Sequence, residues 1–355
     1  MNQAKKTIPM PVRYTINFIL MASFIIIGTF VVNNGLISSY YTKILMLVGI
    51  NIILAVSLNM VTGYLGQLPL GHAGFMAVGA YTGGIFMKAI NLTAIGRAMS
   101  ASGGDPVLAV KYYGGIVAAV ILSGIVAGIF GLIIGIPALR LKGDYLAIIT
   151  LGFREIIRVV LLNIDSVLGF NFTFGASGLK QIPKITTFFN VFLCVMLTCV
   201  IIHMVMKSRH GRAILSIREN EIAAESCGIK TTYYKTMAFV MSAFFAGVAG
   251  CMYAGYLGIL QPTTFGFMKS IEILVMVVLG GMGSMIGSIA SAAVLTALPQ
   301  VLLMFDSYRM VIYSLVLVIV MIFKPTGLMG TYDFSLSRIL ERLINYGKSK
   351  KEAAK

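Results

Sequence analysis

The segment Lys207–Lys235, KSRHGRAILSIRENEIAAESCGIKTTYYK, interrupts an otherwise oily chain with a compact run of charged and helix-forming residues. Hydrophobic residues make up 58% of the 355 positions and charged ones only 11%, against about 25% charge in soluble domains. The mean hydropathy is +0.92. Such a composition belongs to an integral membrane protein. The apolar material comes in separate blocks close to the ~20 residues that carry a helix across ~30 Å of hydrocarbon, not in the alternating ~10-residue strands of an outer-membrane barrel. The expected fold is therefore all-α and polytopic, with 207–235 as a water-facing loop.

Outward from that loop, apolar blocks lie near 14–32, 44–62, 70–90, 114–137, 145–163, 188–206, 236–258, 271–304 and 308–323. They predict about 8–10 membrane segments, broken or re-entrant helices included. Pro137 closes the fourth block and Pro325 follows the last, as helix punctuation requires. Lys5, Lys6 and Arg13 precede the first block. The loop holds Lys207, Arg209, Arg212, Arg218, Lys230 and Lys235, and the end of the chain holds Lys324, Arg338, Arg342, Lys348, Lys350, Lys351 and Lys355. These regions contain more than half of the 28 lysines and arginines, and the positive-inside rule places all of them in the cytoplasm. Topology thus accounts for the net charge of +16 without nucleic acid, for which no motif is present. Residues 1–13 are expected to form a cytoplasmic tail, 14–330 the transmembrane domain, and 331–355 a basic cytoplasmic tail. Asn33-Asn34-Gly35 follows the first block where a small-residue cleavage site would stand, so that block is expected to remain as a span.

An even number of blocks separates the N-terminus from the loop, which keeps both inside. An odd number follows, and 271–304 is too long for one simple crossing. Gly280-Gly281-Met282-Gly283-Ser284 cuts it. A chain that enters, breaks there and returns restores the parity, as would separate short spans with a neighbour miscounted. A comparable interruption, GYLGQLPLGHAG, runs from Gly63 to Gly74. Irregular backbone at membrane depth survives only where protein or a water-filled cavity satisfies its polar groups, so paired breaks point to interiors and pathways and hint at an internal repeat. The alternative is that the glycines are close helix contacts and that Pro69 marks an ordinary kink.

Within the loop, His210-Gly211 reads as a turn and Ala213–Cys227 as one helix, stopped by Gly228. Ala213, Ile217, Ala224 and Gly228 share a face. Glu221 and Glu225, a turn apart, stand on an adjoining one, with Arg218 a turn before Glu221. A small-residue stripe flanked by charge suits docking into a groove on a soluble partner. The competing reading, a helix lying on the membrane, sets its acidic face against anionic lipid.

Arg154, Glu155 and Arg158 lie about ten residues into the fifth block, near mid-depth at ~1.5 Å per residue. Charges there face protein or water. They either border a path for a zwitterion, form structural ion pairs to neighbouring helices, or sit in the headgroups at the end of a shorter span. His72, in the first break, either donates to a carboxylate or satisfies a neighbouring carbonyl. Cys194, Cys199, Cys227 and Cys251 have no CxxC spacing and are expected to be free packing thiols. His203 and His210 show no ligand spacing, so no metal site is expected. No nucleophile, base and orienting group can be assembled into an embedded enzyme. The chain also has no GxxxxGK[ST] segment to cradle phosphate.

A long ordered series of motifs carries a resemblance. GYLGQLPLGHAGFMAVGAY (Gly63–Tyr81), RLKGDYLAIITLGFREIIR (Arg140–Arg158) and GRAILSIRENEIAAESCGI (Gly211–Ile229) are followed by QPTTF (Gln261–Phe265), SIEILVMVVLGGMGSMIGS (Ser270–Ser288) and FKPTGLMG (Phe323–Gly330). From about Leu45 to Gly330 the chain resembles the branched-chain amino acid ABC transporter permeases, LivM-type. The resemblance implies a heterodimer with a homologous permease subunit and two cytoplasmic ATPase subunits that bind the ATP, so that this chain needs no cofactor. It also implies a periplasmic or extracellular substrate-binding protein and a bacterial inner-membrane location, lipid all around, with both termini cytoplasmic. The loop helix then looks like a coupling helix, with Glu221, Ala224 and Gly228 in its acidic, small and glycine positions. Arg212, Ile217, Arg218 and Glu225 complete the expected ATPase contacts. Ile222 occupies a place where alanine is usual, and Pro69 one where serine is common. The expected substrate path takes in Gly66, Gln67 and His72 at the first break, Gly281 and Gly283 at the second, and Glu155 and Arg158 between. The related urea and short-amide permeases are the neighbouring alternative. An ion-coupled secondary transporter would also have broken helices, but it would run without partners and has no use for the loop helix. A channel would need a constriction ring, and none is nominated.

Overall fold

The computed structural model describes residues 10–102, 105–141, 143–169 and 173–301, with isolated positions at 314–315, 318–319, 322–323 and 327. The described chain is helical. Its elements are α1 Met10–Asn33, α2 Ser39–Asn59 prolonged by a π-helical turn Met60–Tyr64, α3 His72–Ala89, α4 Leu92–Ala101, α5 Pro106–Ala138 and α6 Asp144–Leu168. They continue with α7 Phe188–Lys207, α8 Arg209–Glu219, α9 Glu221–Ser226, α10 Thr231–Leu257, α11 Phe267–Gly280 and α12 Met285–Val301. The apolar blocks up to residue 301 fall on helices, the 271–304 block on two of them, and residues 302–304 and most of the 308–323 block lie outside the described residues. Among the described residues, four helical runs are long and apolar enough to cross a membrane on their own: Ser39–Tyr64, α5, α7 and α10. The pair α3 and α4, bent by 57°, makes a fifth if taken as one broken span. Shorter apolar stretches run over Phe18–Asn33 and Met285–Gln300. The fold is thus the all-α polytopic one expected.

The centre of the bundle is α2, α3 and α10. The second half of α2, from Val48 to Asn59, is buried all the way round. Lipid offers no hydrophobic drive between helices, so close approach of small residues does the holding. Gly79 of α3 lies against the backbone of Gly247 on α10, and Gly250 against the Met76 carbonyl. Around this centre α1, α5 and α7 turn apolar faces outward, as with Ile26, Ile27 and Phe30 on α1 and Ile121, Ile125 and Ile133 on α5. A helix that is apolar on every side belongs in lipid.

The expected break in the 271–304 block is a reversal. After Gly280 the chain turns through Gly281–Ser284, and α12 runs back along α11. A Cβ on Gly280 would lie 2.5 Å from the Gly287 carbonyl carbon, and Ser291 Oγ donates to the Met276 carbonyl. At 14 residues, α11 rises only ~21 Å, short of the ~30 Å hydrocarbon thickness. The first break differs: it follows a complete 26-residue helical run and connects it to α3. The glycines at both breaks do serve close packing, the alternative that composition left open.

Candidate functional site

The end of α2, the start of α3, the turn between α11 and α12, and the 207–235 loop all meet at one end of the bundle. Asn59 sets the contact between the two breaks: its Oδ1 accepts from the Gly283 backbone N–H at 2.9 Å. A Cβ on Gly63 would run into both Asn59 Oδ1 and the Gly283 nitrogen. Only glycine lets the two backbones approach this closely. Gly281 and Gly283 adopt φ of +104° and +90°, where other residues are strained. Gly327, from the last family-like motif, packs on the backbone of Gly280 and Gly281. That glycine therefore lies beside the second break, at the loop end of the bundle.

The first break is pinned from its other side by α6. Leu70 N–H donates to Thr150 Oγ1 at 3.0 Å, and a Cβ on Gly71 would lie 2.5 Å from the Thr150 carbonyl oxygen. His72 opens α3 buried, with its Nε2 3.0 Å from Ser57 Oγ, so the imidazole is used within the helix packing. Gly66 is exposed and Gln67 half-buried. The two breaks are thus brought together through Asn59, Gly63 and Gly283, while His72 turns to Ser57.

Glu155 and Arg158 sit elsewhere, on α6. Arg154 is buried, its side chain 4% exposed, and pairs with Glu155 at 2.8 Å while also donating to the Phe265 carbonyl at 3.3 Å. Arg158 Nε donates to Glu155 Oε1 at 2.7 Å. Among the described residues the charges pair inside one helix, not across to neighbouring ones. Arg154 backs onto Gly74 of α3, which leaves Glu155, at 40% side-chain exposure, on the outward face beside Ile148, Ile156 and Val160.

The loop departs from expectation in two respects. His210-Gly211, expected as a turn, lies inside α8, which starts at Arg209 because Ser208 Oγ caps it by accepting from the His210 N–H at 3.2 Å. The loop is also two helices, because Asn220 takes an extended conformation and caps α9, its Oδ1 accepting from Ala223 N–H at 3.1 Å. Asparagine is among the best N-cap residues, so the signal was present in the sequence. Gly228 ends α9 as expected, at φ +79°. The Gly228 and Ile229 N–H groups return to the carbonyls of Glu225 and Ala224, the glycine-terminated motif that satisfies the last turn.

The inner face of the pair is Ile214, Ile217 and Ala224, all buried against the chain's own spans. Glu221 is bonded by Lys235 Nζ at 2.7 Å, the lysine side chain only 4% exposed, and Glu225 Oε1 accepts from the Thr231 hydroxyl at 2.6 Å. These bonds fix α9 to the start of α10. Arg218 Nη1 donates to the Gly63 carbonyl at 2.5 Å. Facing out are Arg212, Glu219, Ala223, Ser226, Gly228 and Ile222, the last 72% exposed. Asn59, Thr150 and Lys235 are site residues that pattern reading passed over. Among the described residues no cluster of three or more His, Cys, Asp or Glu could hold a metal ion.

An all-α polytopic bundle, with a charged helix pair bonded onto its interrupted helices, suits a membrane transport subunit. The chain belongs to the permease component family of branched-chain amino acid transport systems, whose model matches residues 40–323. It is 36% identical over 315 residues to the high-affinity branched-chain amino acid transport system permease protein LivM of Salmonella typhimurium, covering 79% of this chain and 68% of that one. It is 28% identical to the LivH permease protein of Escherichia coli, over 78% of this chain and 90% of that one. A probable LivM of Methanocaldococcus jannaschii is 25% identical over 81% of this chain and 92% of its own length. No solved structure gives a significant match.

Proposed function

We propose that this chain is the membrane-spanning permease subunit of an ABC importer of branched-chain amino acids in a bacterial inner membrane, driven by ATP hydrolysis on separate subunits. The observation that carries the reading is the family match over residues 40–323. The loop end of the bundle is cytoplasmic, and α8–α9 is the surface on which two ATPase subunits act. Support comes from its exposed residues: Ile222 and Ala223 project from α9, with Glu219 at the end of α8 and Arg212 also exposed on α8, apolar and charged groups of the kind that seat in a groove on a partner.

Closure of the ATPase pair moves α8–α9. Ile214, Ile217 and Ala224 are packed into the bundle, and Glu221 is paired with Lys235, so the motion enters α10 and the breaks without a slack joint. The α11–α12 hairpin and α2 then favour one of two arrangements, and nucleotide selects between them through its differential contacts with each. On α6, Glu155 and Arg158 offer both signs at mid-helix, the complement of a zwitterionic amino acid. Charges at that depth must be covered by protein or water, which supports a homologous permease subunit facing α6 across the path. A substrate-binding protein delivers at the opposite end.

The test is uptake into proteoliposomes. Labelled leucine should accumulate only when the permease pair, ATPase subunits, binding protein and ATP are all present. Accumulation by this chain alone would point to an ion-coupled carrier, and urea uptake without leucine uptake to the amide class.

A further inference from the structure

We propose that Arg218 is a positioning residue that ties α8 to both chain breaks, so that the loop, the end of α2 and the α11–α12 turn move as one body. The inference rests on the importer reading and deepens it: Arg218 is exposed as a whole, yet its guanidinium bends back onto the chain breaks, where the family pattern alone would have it touch the ATPase.

The guanidinium sits at a junction. Its Nη1 donates to the Gly63 carbonyl at 2.5 Å, at the C-terminal end of the run Ser39–Tyr64, where backbone carbonyls lack helical partners and the dipole favours a cation. The same nitrogen lies 3.0 Å from where a Cβ on Gly283 would stand, so the charged head also rests on the turn of the second break. The aliphatic stem crosses Gly66, with Cγ 3.1 Å and Cβ 3.7 Å from the Cβ position there. A side chain at Gly63 or Gly283 would crowd this groove, and one at Gly66 would press on the stem. Asn59 Oδ1, bonded to Gly283 N–H, joins the two breaks directly beneath the arginine. One residue of the water-facing loop thus holds two backbone segments that are remote in sequence.

The experiment uses the full transporter, reconstituted with its ATPase subunits and binding protein. Arg218→Ala is expected to keep the ATPase subunits bound and hydrolysing while leucine uptake per ATP falls about tenfold, within the usual range of coupling between sites. A second variant separates tethering from mere folding. In a chain without its native cysteines, Gly66→Cys with Arg218→Cys places two Cβ atoms about 3.7 Å apart, inside the disulfide range of ~3.5–4.5 Å. Oxidation should raise uptake per ATP severalfold over the same protein reduced, because a covalent bond replaces the arginine tether, and reductant should reverse the gain. The strain of a side chain at Gly66, φ +78°, is common to both forms and cancels. Thiols that do not pair, or oxidation that leaves coupling unchanged or lowers it, would overturn the proposal. Loss of the ATPase subunits from Arg218→Ala would overturn it too, by making Arg218 a docking contact, and would leave the importer reading intact. If the native chain itself bound no ATPase subunits, the importer reading would fall and this inference with it.

Discussion

The break after Tyr64 ends a helical run of 26 residues and leads into α3, whereas the break after Gly280 ends a helix of 14 residues and sends the chain back along it. The first is fastened to the bundle through Thr150 and, at Ala73 N–H, through Ser270 Oγ. The second is closed on itself by Gly280 against Gly287 and is held from outside by Asn59 and Arg218. In sequence the two look like matching halves of a repeat. In space one is a floor fixed from α6 and the other a short hairpin laid against it and along α2, where Asn51 Nδ2 donates to Thr296 Oγ1 at 2.8 Å.

The variant expected to hurt most is Gly63→Val, because its side chain would strike Asn59 and the second break at once. Overpacking of this kind costs roughly 3 kcal/mol, which should appear as a lower melting temperature of the detergent-purified protein and as lost uptake. Unchanged melting would mean the breaks do not touch. Gly287→Ala acts on the hairpin alone, where its methyl would meet the Gly280 carbonyl. A cost of about 2 kcal/mol is expected, with faster amide exchange over 281–284 and unaltered exchange at Leu70. Faster exchange at Leu70 as well would make the breaks one cooperative unit. Thr150→Val removes the acceptor of the Leu70 N–H and should cost about 1 kcal/mol. Its effect belongs at residues 65–71, and a change confined to 281–284 would reverse the assignment of floor and hairpin.

Much of the fold was legible because a span announces itself over some ~20 apolar residues, and because punctuation such as Pro137 and Gly228 acts locally. The glycine cut at 280–284 was legible for the same reason, though not the direction the chain takes afterwards. The site was harder to read. Asn220 splits the loop helix by a capping bond that the strong helix formers around it conceal. Glu221 looked like a free docking carboxylate, yet its partner Lys235 comes from α10 and is met only because the chain turns at Gly228. Asn59 and Gly283 are 224 positions apart, and nothing in either neighbourhood names the other. Charge placement left open ion pairs from α6 to neighbouring helices, whereas Arg154 and Arg158 pair with Glu155 on α6 itself, and the exposure of Glu155 depends on how α6 is turned against α3.

The central claim is that α9 hands the motion of a separate ATPase to this bundle, and Ile222 offers the most direct measurement. With the native cysteines replaced, Cys227 being exposed nearby, a thiol-directed cross-linker at Ile222→Cys should capture an ATPase subunit in the assembled transporter, in an amount that changes when ATP is added. Capture of no subunit, or labelling of the same position by an impermeant reagent applied from outside the cell, would contradict the account.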